Sequence, residues 1–162
     1  MRSSTIGDGL HVCRFHPFSL DPMDTKTIDD LFKEGLERYE ANSPLSEIFP
    51  YFLEIIKRQP KNGAALTCIS WLYLMEEEPK KAEDFARKAM KANPADAQAR
   101  VNLVLALLDS GGKGVRDQVE LIQQILTVDS DQGEEIARNL TEGTARKGTW
   151  KAAQKVQEWL AG

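Results

Sequence analysis

Cysteine is nearly absent from this sequence: Cys13 and Cys68 are the only two in 162 residues, one in a leading tail and one inside an apolar helical pattern, which is no disulfide framework. A reducing compartment is the expected setting. Histidine is equally scarce, and His11 and His16 flank Cys13 in GDGLHVCRFHPF. That makes three candidate ligands where a structural zinc site usually wants four, so neither a metal nor another cofactor is expected. Long apolar runs are missing too. Nothing approaches the roughly 20 residues that span a bilayer, and MRSSTIGDGLHVCRFHPFSLDP has no apolar core of a secretory signal. The chain reads as soluble and intracellular, hence cytoplasmic. Positive charge is not in excess either: the net charge is −4, which argues against a protein built to hold nucleic acid or an anionic membrane.

Strand alternation between turn signals is also lacking, and helical periodicity takes its place from Thr25 almost to the end. The spacing predicts helices over 26–41, 45–58, 63–77, 80–92, 96–110, 115–128, 131–143 and 149–160. Their breaks have local causes, among them Pro44, Pro60 with Gly63, Pro79, Asn93 with Pro94, and Gly111 with Gly112. Short links of this kind predict antiparallel helical hairpins packed in order. Pro50 would cost about 3 kcal/mol deep inside a helix, so Ser46 is expected to cap the second helix and leave Pro50 in its first turn. Gly148 followed by Thr149 predicts the last N-cap. Residues 1–24 read as a disordered N-terminal extension and 25–162 as one helical domain, a length sufficient for a single real core.

The run PKKAEDFARKAMKANP places Ala82, Ala86, Ala89 and Ala92 along one helix. Methyl groups bury little area, at roughly 25 cal/mol per Å², so their use is close approach of helix axes, toward the near end of roughly 8 to 10 Å. Sliding the sequence by 34 residues puts Tyr39 on Tyr73, Pro60 on Pro94, Ile48 on Ala82, Phe52 on Ala86 and Ile55 on Ala89. That is the period of the tetratricopeptide repeat.

Gly63 to Asp96 resembles a tetratricopeptide repeat (TPR) unit, with Tyr73 late in its first helix, small Ser70 before it, then the three alanines and the closing Pro94. Ala97 to Ser130 resembles a degenerate unit with an enlarged SGGKG turn, and Thr27 to Asn62 a first unit in which Gly35 stands one place from the expected small position. NLVLALLDSGGKGVRDQVELIQQIL is similar to short TPR proteins of cyanobacteria, which would imply a partner in photosynthetic complex assembly. The resemblance implies an all-α, right-handed superhelical array of about three TPR-like hairpins closed by C-terminal capping helices.

It also implies a concave face lined by the first helix of each unit, where a segment of a protein partner lies. By register that face takes Lys33 from the first unit, Thr67, Trp71, Leu74 and Met75 from the second, and Val101, Asn102, Leu105 and Leu108 from the third. Trp71 is the expected anchor, and the apolar centre predicts little dependence on salt. The lysine and asparagine clamp by which some TPR adaptors hold acidic chaperone tails is absent, because only Lys33 matches while Glu37, Cys68, Gln98 and Asn102 fill the other places. The expected function is a non-catalytic adaptor or assembly factor holding an amphipathic segment. The alternative is a self-associating structural protein that uses the groove or the final Trp159 and Leu160. No catalytic arrangement emerges: SGGKG lacks the spacing of a phosphate-binding loop, and the carboxylates of EEEP and DSDQGEE read as solvated turns and helix starts.

Overall fold

Thr27 opens the first helix with a reciprocal pair of hydrogen bonds: its Oγ1 accepts from the Asp30 amide at 3.1 Å, and Asp30 Oδ2 accepts from the Thr27 amide at 3.3 Å. From this cap the computed structural model, which describes residues 23–162, runs through eight helices, with no strand among the described residues. They are α1 (Ile28–Glu40), α2 (Leu45–Arg58), α3 (Gly63–Met75), α4 (Pro79–Ala92), α5 (Ala97–Ser110), α6 (Val115–Val128), α7 (Asp131–Lys147) and α8 (Lys151–Ala161). Side chains also cap α3 and α5, where Asn62 Oδ1 accepts from Ala65 N at 3.0 Å and Asp96 Oδ1 from Ala99 N at 3.1 Å. Gly111 ends α5 at φ +70°, a conformation that suits glycine.

Most helix ends fall within about two residues of expectation, and three differences have a physical cause. Pro44, with its φ of −55°, sets the start of α2 one residue before Ser46. Pro50 therefore sits just past the first turn, on an exposed face, and forgoes one backbone bond. α8 begins behind Trp150 instead of Thr149, because the Trp150 ring is drawn into the core. α7 runs four residues beyond 143, held by long-range bonds that no local pattern announces.

Pairs α1 with α2, α3 with α4 and α5 with α6 pack as hairpins, and each stacks on the next. The helix starts refine the period. α1 lies 35 places before α3, whereas α2 lies 34 before α4, so the first hairpin turn is one residue longer. In helix register Gly35 is thus the counterpart of Ser70. A Cβ on Gly35 would come within 2.8 Å of the Phe52 ring, which makes it the close-approach position of the first unit.

The alanine argument meets its geometry in α4. Ala82, Ala86 and Ala89 have no exposed surface, and Ser70 Oγ donates to the Ala82 carbonyl at 2.8 Å, a bond that requires the two helices to lie close. Ala92 is exposed; it is the exception, standing at the helix end. Ala86→Leu is expected to destabilise by about 1 to 3 kcal/mol through overpacking, while Lys88→Leu on the exposed face changes stability by less than about 0.5 kcal/mol. Urea melts of the two variants check this, and equal small effects would remove the crossing.

Two large apolar clusters share the core. The first gathers Leu31, Ile48, Phe52, Ile55, Ile69 and Leu72 from α1, α2 and α3. Met23, just before the predicted domain start, packs partly buried against it. The second joins Leu74, Val101, Leu105, Ile122, Ile136 and Leu140, and Trp150 and Val156 complete it from beside and within α8. The last helical pair is therefore part of the core. α7 touches α3, α5, α6 and α8, and α8 packs on α5.

Candidate functional site

The way α7 is held decides where an open surface remains. At its start, Gln132 Oε1 accepts from Ala97 N at 2.9 Å and Gln132 Nε2 donates to Ala95 O at 3.2 Å. At its end, Arg146 Nη2 donates to Ser43 O at 2.6 Å and Lys147 Nζ to Leu74 O at 2.9 Å. The helix thus runs from the α4–α5 turn to the α1–α2 turn, across the face made by the first helices.

That crossing buries most of the residues expected to line a groove. Leu74, Val101, Asn102 and Leu105 are at most 1% exposed, Met75 is buried, and Leu108 is partly buried against the second cluster. Trp71 is corrected as well. It is 9% exposed, its Nε1 donates to Tyr39 Oη at 2.8 Å, and its ring meets that of Trp150 edge-on at 5.7 Å. Lys33 stays on the outer surface, 3.8 Å from Glu37. Asn102 is occupied internally: its Nδ2 donates to Thr67 O at 3.1 Å and its Oδ1 accepts from Gln98 Nε2 at 2.8 Å, while Gln98 Oε1 accepts from Asn139 Nδ2 at 3.0 Å. This chain of amides joins α3, α5 and α7.

What remains open is a cleft of about 670 Å³ between α1, α3 and α7. Its α1 wall is Phe32, Leu36 and Tyr39, at helical spacing i, i+4, i+7. Its floor is Thr67, Cys68 and the edge of Trp71; its α7 wall includes Glu135, Ile136, Asn139 and Glu142. Of the expected residues, Thr67 and Trp71 meet here. The α1 stripe and the α7 face were the missed parts. The stripe Phe32, Leu36, Tyr39 was readable as an amphipathic face, whereas the α7 face needed the docking of a helix that belongs to no repeat.

Thr67 is the polar point of the floor, its Oγ1 donating to Asp96 Oδ2 at 2.7 Å. Beside it, burial pushes the Cys68 thiol up to about 12, aided by the Asp96 and Glu135 carboxylates. Burial also raises Tyr39, although the Trp71 indole and Arg146 act the other way. In the folded chain Cys68 therefore holds its proton, and since the thiolate is the nucleophile, iodoacetamide at pH 8 is expected to modify Cys68 much more slowly than in the urea-unfolded chain. Peptide mapping by mass spectrometry reads this at Cys68 separately from Cys13. Because the folded value is the higher one, the stability that protonation contributes is complete below about pH 9 and is lost as pH rises toward 12.

Among the described residues no group of three His, Cys, Asp or Glu is placed to hold a metal ion, and no helix is long and apolar enough to cross a membrane. The candidate ligands His11, Cys13 and His16, and all of the extension placed at 1–24 except Met23 and Asp24, lie outside the described residues. The arrangement around the cleft offers binding chemistry: an apolar floor, amide groups and carboxylates at the rim.

No known protein family matches the sequence, and no curated protein does. The cyanobacterial likeness thus gains no support. Among solved structures the fold is similar to that of "MamA RS-1 ArsTM double mutant", a TPR-like protein, with a TM-score of 0.54 and 18% identity, covering 87% of this chain and 75% of that one. That likeness is one of fold, and it agrees with a TPR-like helical-repeat array.

Proposed function

We propose that this chain is a non-catalytic protein-interaction module that holds an amphipathic segment of a partner in the cleft between α1, α3 and α7. The observation that carries the reading is the wall of Phe32, Leu36 and Tyr39, where Leu36 remains 38% exposed in a concave setting instead of packing inward. Concave apolar surfaces with a few polar groups are the usual binding sites of proteins. The TPR-like fold supports a scaffold role by analogy. The module is taken as residues 25–162, working in the cytoplasm without a cofactor, nucleic acid or membrane insertion.

Leu36→Asn tests the proposal without disturbing the core. Crosslinked co-purification from the native cell should recover a partner with the parent chain and lose it with Leu36→Asn, at equal helicity and melting temperature. Identical recovery with both chains would move the binding face elsewhere.

Self-association is a second reading, and it has its own observation. Leu121 and Val128 on α6 and Trp159 on α8 are 37%, 90% and 36% exposed, and Gln123 Nε2 donates to Trp159 O at 3.3 Å, which brings the two helices together. Sedimentation velocity across concentration distinguishes a dimer through this end from a monomer with a free cleft.

A further inference from the structure

The charge around the cleft narrows what can lie in it, given the cleft reading above. Glu40, Asp96, Glu135 and Glu142 all line it, and Arg138 is the single cation among its lining residues. A smaller hollow of about 410 Å³ continues past Tyr39 between Glu40, Glu142 and Arg146. Arg146 is already engaged, with its Nη2 on Ser43 O and its guanidinium 5.2 Å from the centre of the Tyr39 ring. Glu40, Glu135 and Glu142 are exposed, and none of them forms an ion pair within 4 Å among the described residues.

Geometry orders these charges. Glu135 and Glu142 lie on one face of α7, seven residues apart, which is about 10 Å along a helix rising roughly 1.5 Å per residue. Glu40 stands across from Glu142 at the same end of the cleft. The apolar surface left open along the cleft is that of Leu36, with half-buried Phe32 and Tyr39 beside it on the α1 wall. The negative field also reaches the floor, since Asp96 and Glu135 both help to raise the Cys68 thiol and Glu142 acts in the same sense on Tyr39.

We infer that the occupant is a cationic amphipathic segment, whose apolar side chains rest on Phe32, Leu36 and Tyr39 and whose lysines or arginines meet Glu135 at one end and Glu40 with Glu142 at the other. Two basic residues about 10 Å apart stand seven places apart in a helix and about three in an extended chain. An acidic segment of the same apolar content would set like charges against one another at both ends, which is how such surfaces reject wrong partners. On this reading, unlike that of a purely apolar groove centre, binding weakens as salt rises, because rim charges at the surface are screened.

Two synthetic 18-residue amphipathic peptides with the same leucine face test the inference, one carrying lysines and the other glutamates on its polar face. Each is titrated calorimetrically into the full-length chain at low and raised salt. The lysine peptide is expected to bind at least tenfold more tightly at low salt, with the advantage shrinking as salt rises. Glu135→Lys with Glu142→Lys should reverse the order. Asp117→Lys with Glu120→Lys on α6, the same change of charge away from the cleft, should leave it in place. Equal affinity for both peptides, or an order indifferent to the α7 pair, overturns the charge assignment while the cleft reading survives. Binding that ignores Leu36→Asn, or no binding of either peptide, overturns the cleft reading itself. Circular dichroism of each variant separates these results from misfolding.

Discussion

Trp71→Ala is expected to cost about 3 to 5 kcal/mol of folding stability, the range for removing a buried aromatic ring. The ring is a joint between repeat and closing helices: Nε1 is bonded to Tyr39 Oη, one edge meets Trp150, and the α7 backbone passes directly over it at Gly143. Losing it leaves a cavity bounded by α3, α7 and the Trp150 ring, and deprives the Tyr39 hydroxyl of its indole donor. Tyr39→Phe breaks the same bond from its other side, leaving a buried indole N–H without its acceptor at a cost of about 1 to 3 kcal/mol. Urea unfolding of the two variants measures both. A loss below about 1 kcal/mol for Trp71→Ala would mean that α7 is not seated on this ring. The functional consequence is that loss of a partner in Trp71→Ala would report collapse of the joint, so exposed Leu36 is the cleaner probe of the cleft.

The helices were legible because their ends carry local chemistry. Asn62, Asp96, Pro79 and Gly111 mark boundaries whatever the rest of the chain does, and the fully buried Ala82, Ala86 and Ala89 are small because two helices cross there. The cleft was harder to read. A 34-residue period says how each unit stacks on the next, and it is silent about a helical pair that lies outside the repeat. α7 is placed by Gln132, Arg146 and Lys147 reaching backbone atoms that are 35 to 103 residues away in sequence, and those are polar residues that look like any solvated helix end. The same docking turned Leu74, Val101 and Leu105 from expected groove residues into core, since an apolar face of a first helix serves equally well under a partner or under a helix of its own chain. Gly35 shows a smaller failure of the same kind: one extra residue in the first hairpin turn moved it out of the 34-residue register while leaving its packing role intact.

Gly143→Leu is expected to lift α7 from the array, with a net loss of about 3 kcal/mol, the upper end for overpacking. A Cβ at this position would lie 2.6 Å from Trp71 Cζ2, 2.9 Å from Cη2 and 3.2 Å from Trp150 Cζ3. Neither ring can step back freely, because the Trp71 indole is bonded to Tyr39 and the Trp150 indole to the Asp109 carboxylate at 3.0 Å. Helix propensity works in the other direction, favouring leucine over glycine by less than about 1 kcal/mol, too little to offset a contact so far inside van der Waals distance. The relief available to the chain is to undock α7 and α8, which gives up their share of the second cluster but leaves α1 to α4 packed around the first. Hydrogen exchange should therefore lose protection over 131–161 and keep it over 28–92. The same movement carries Glu135 and Glu142 away from Leu36, so preference for a lysine-bearing peptide should vanish with the protection. Full protection across α7 in Gly143→Leu would show that the helix does not close on Trp71, and with it would go the wall that makes the cleft.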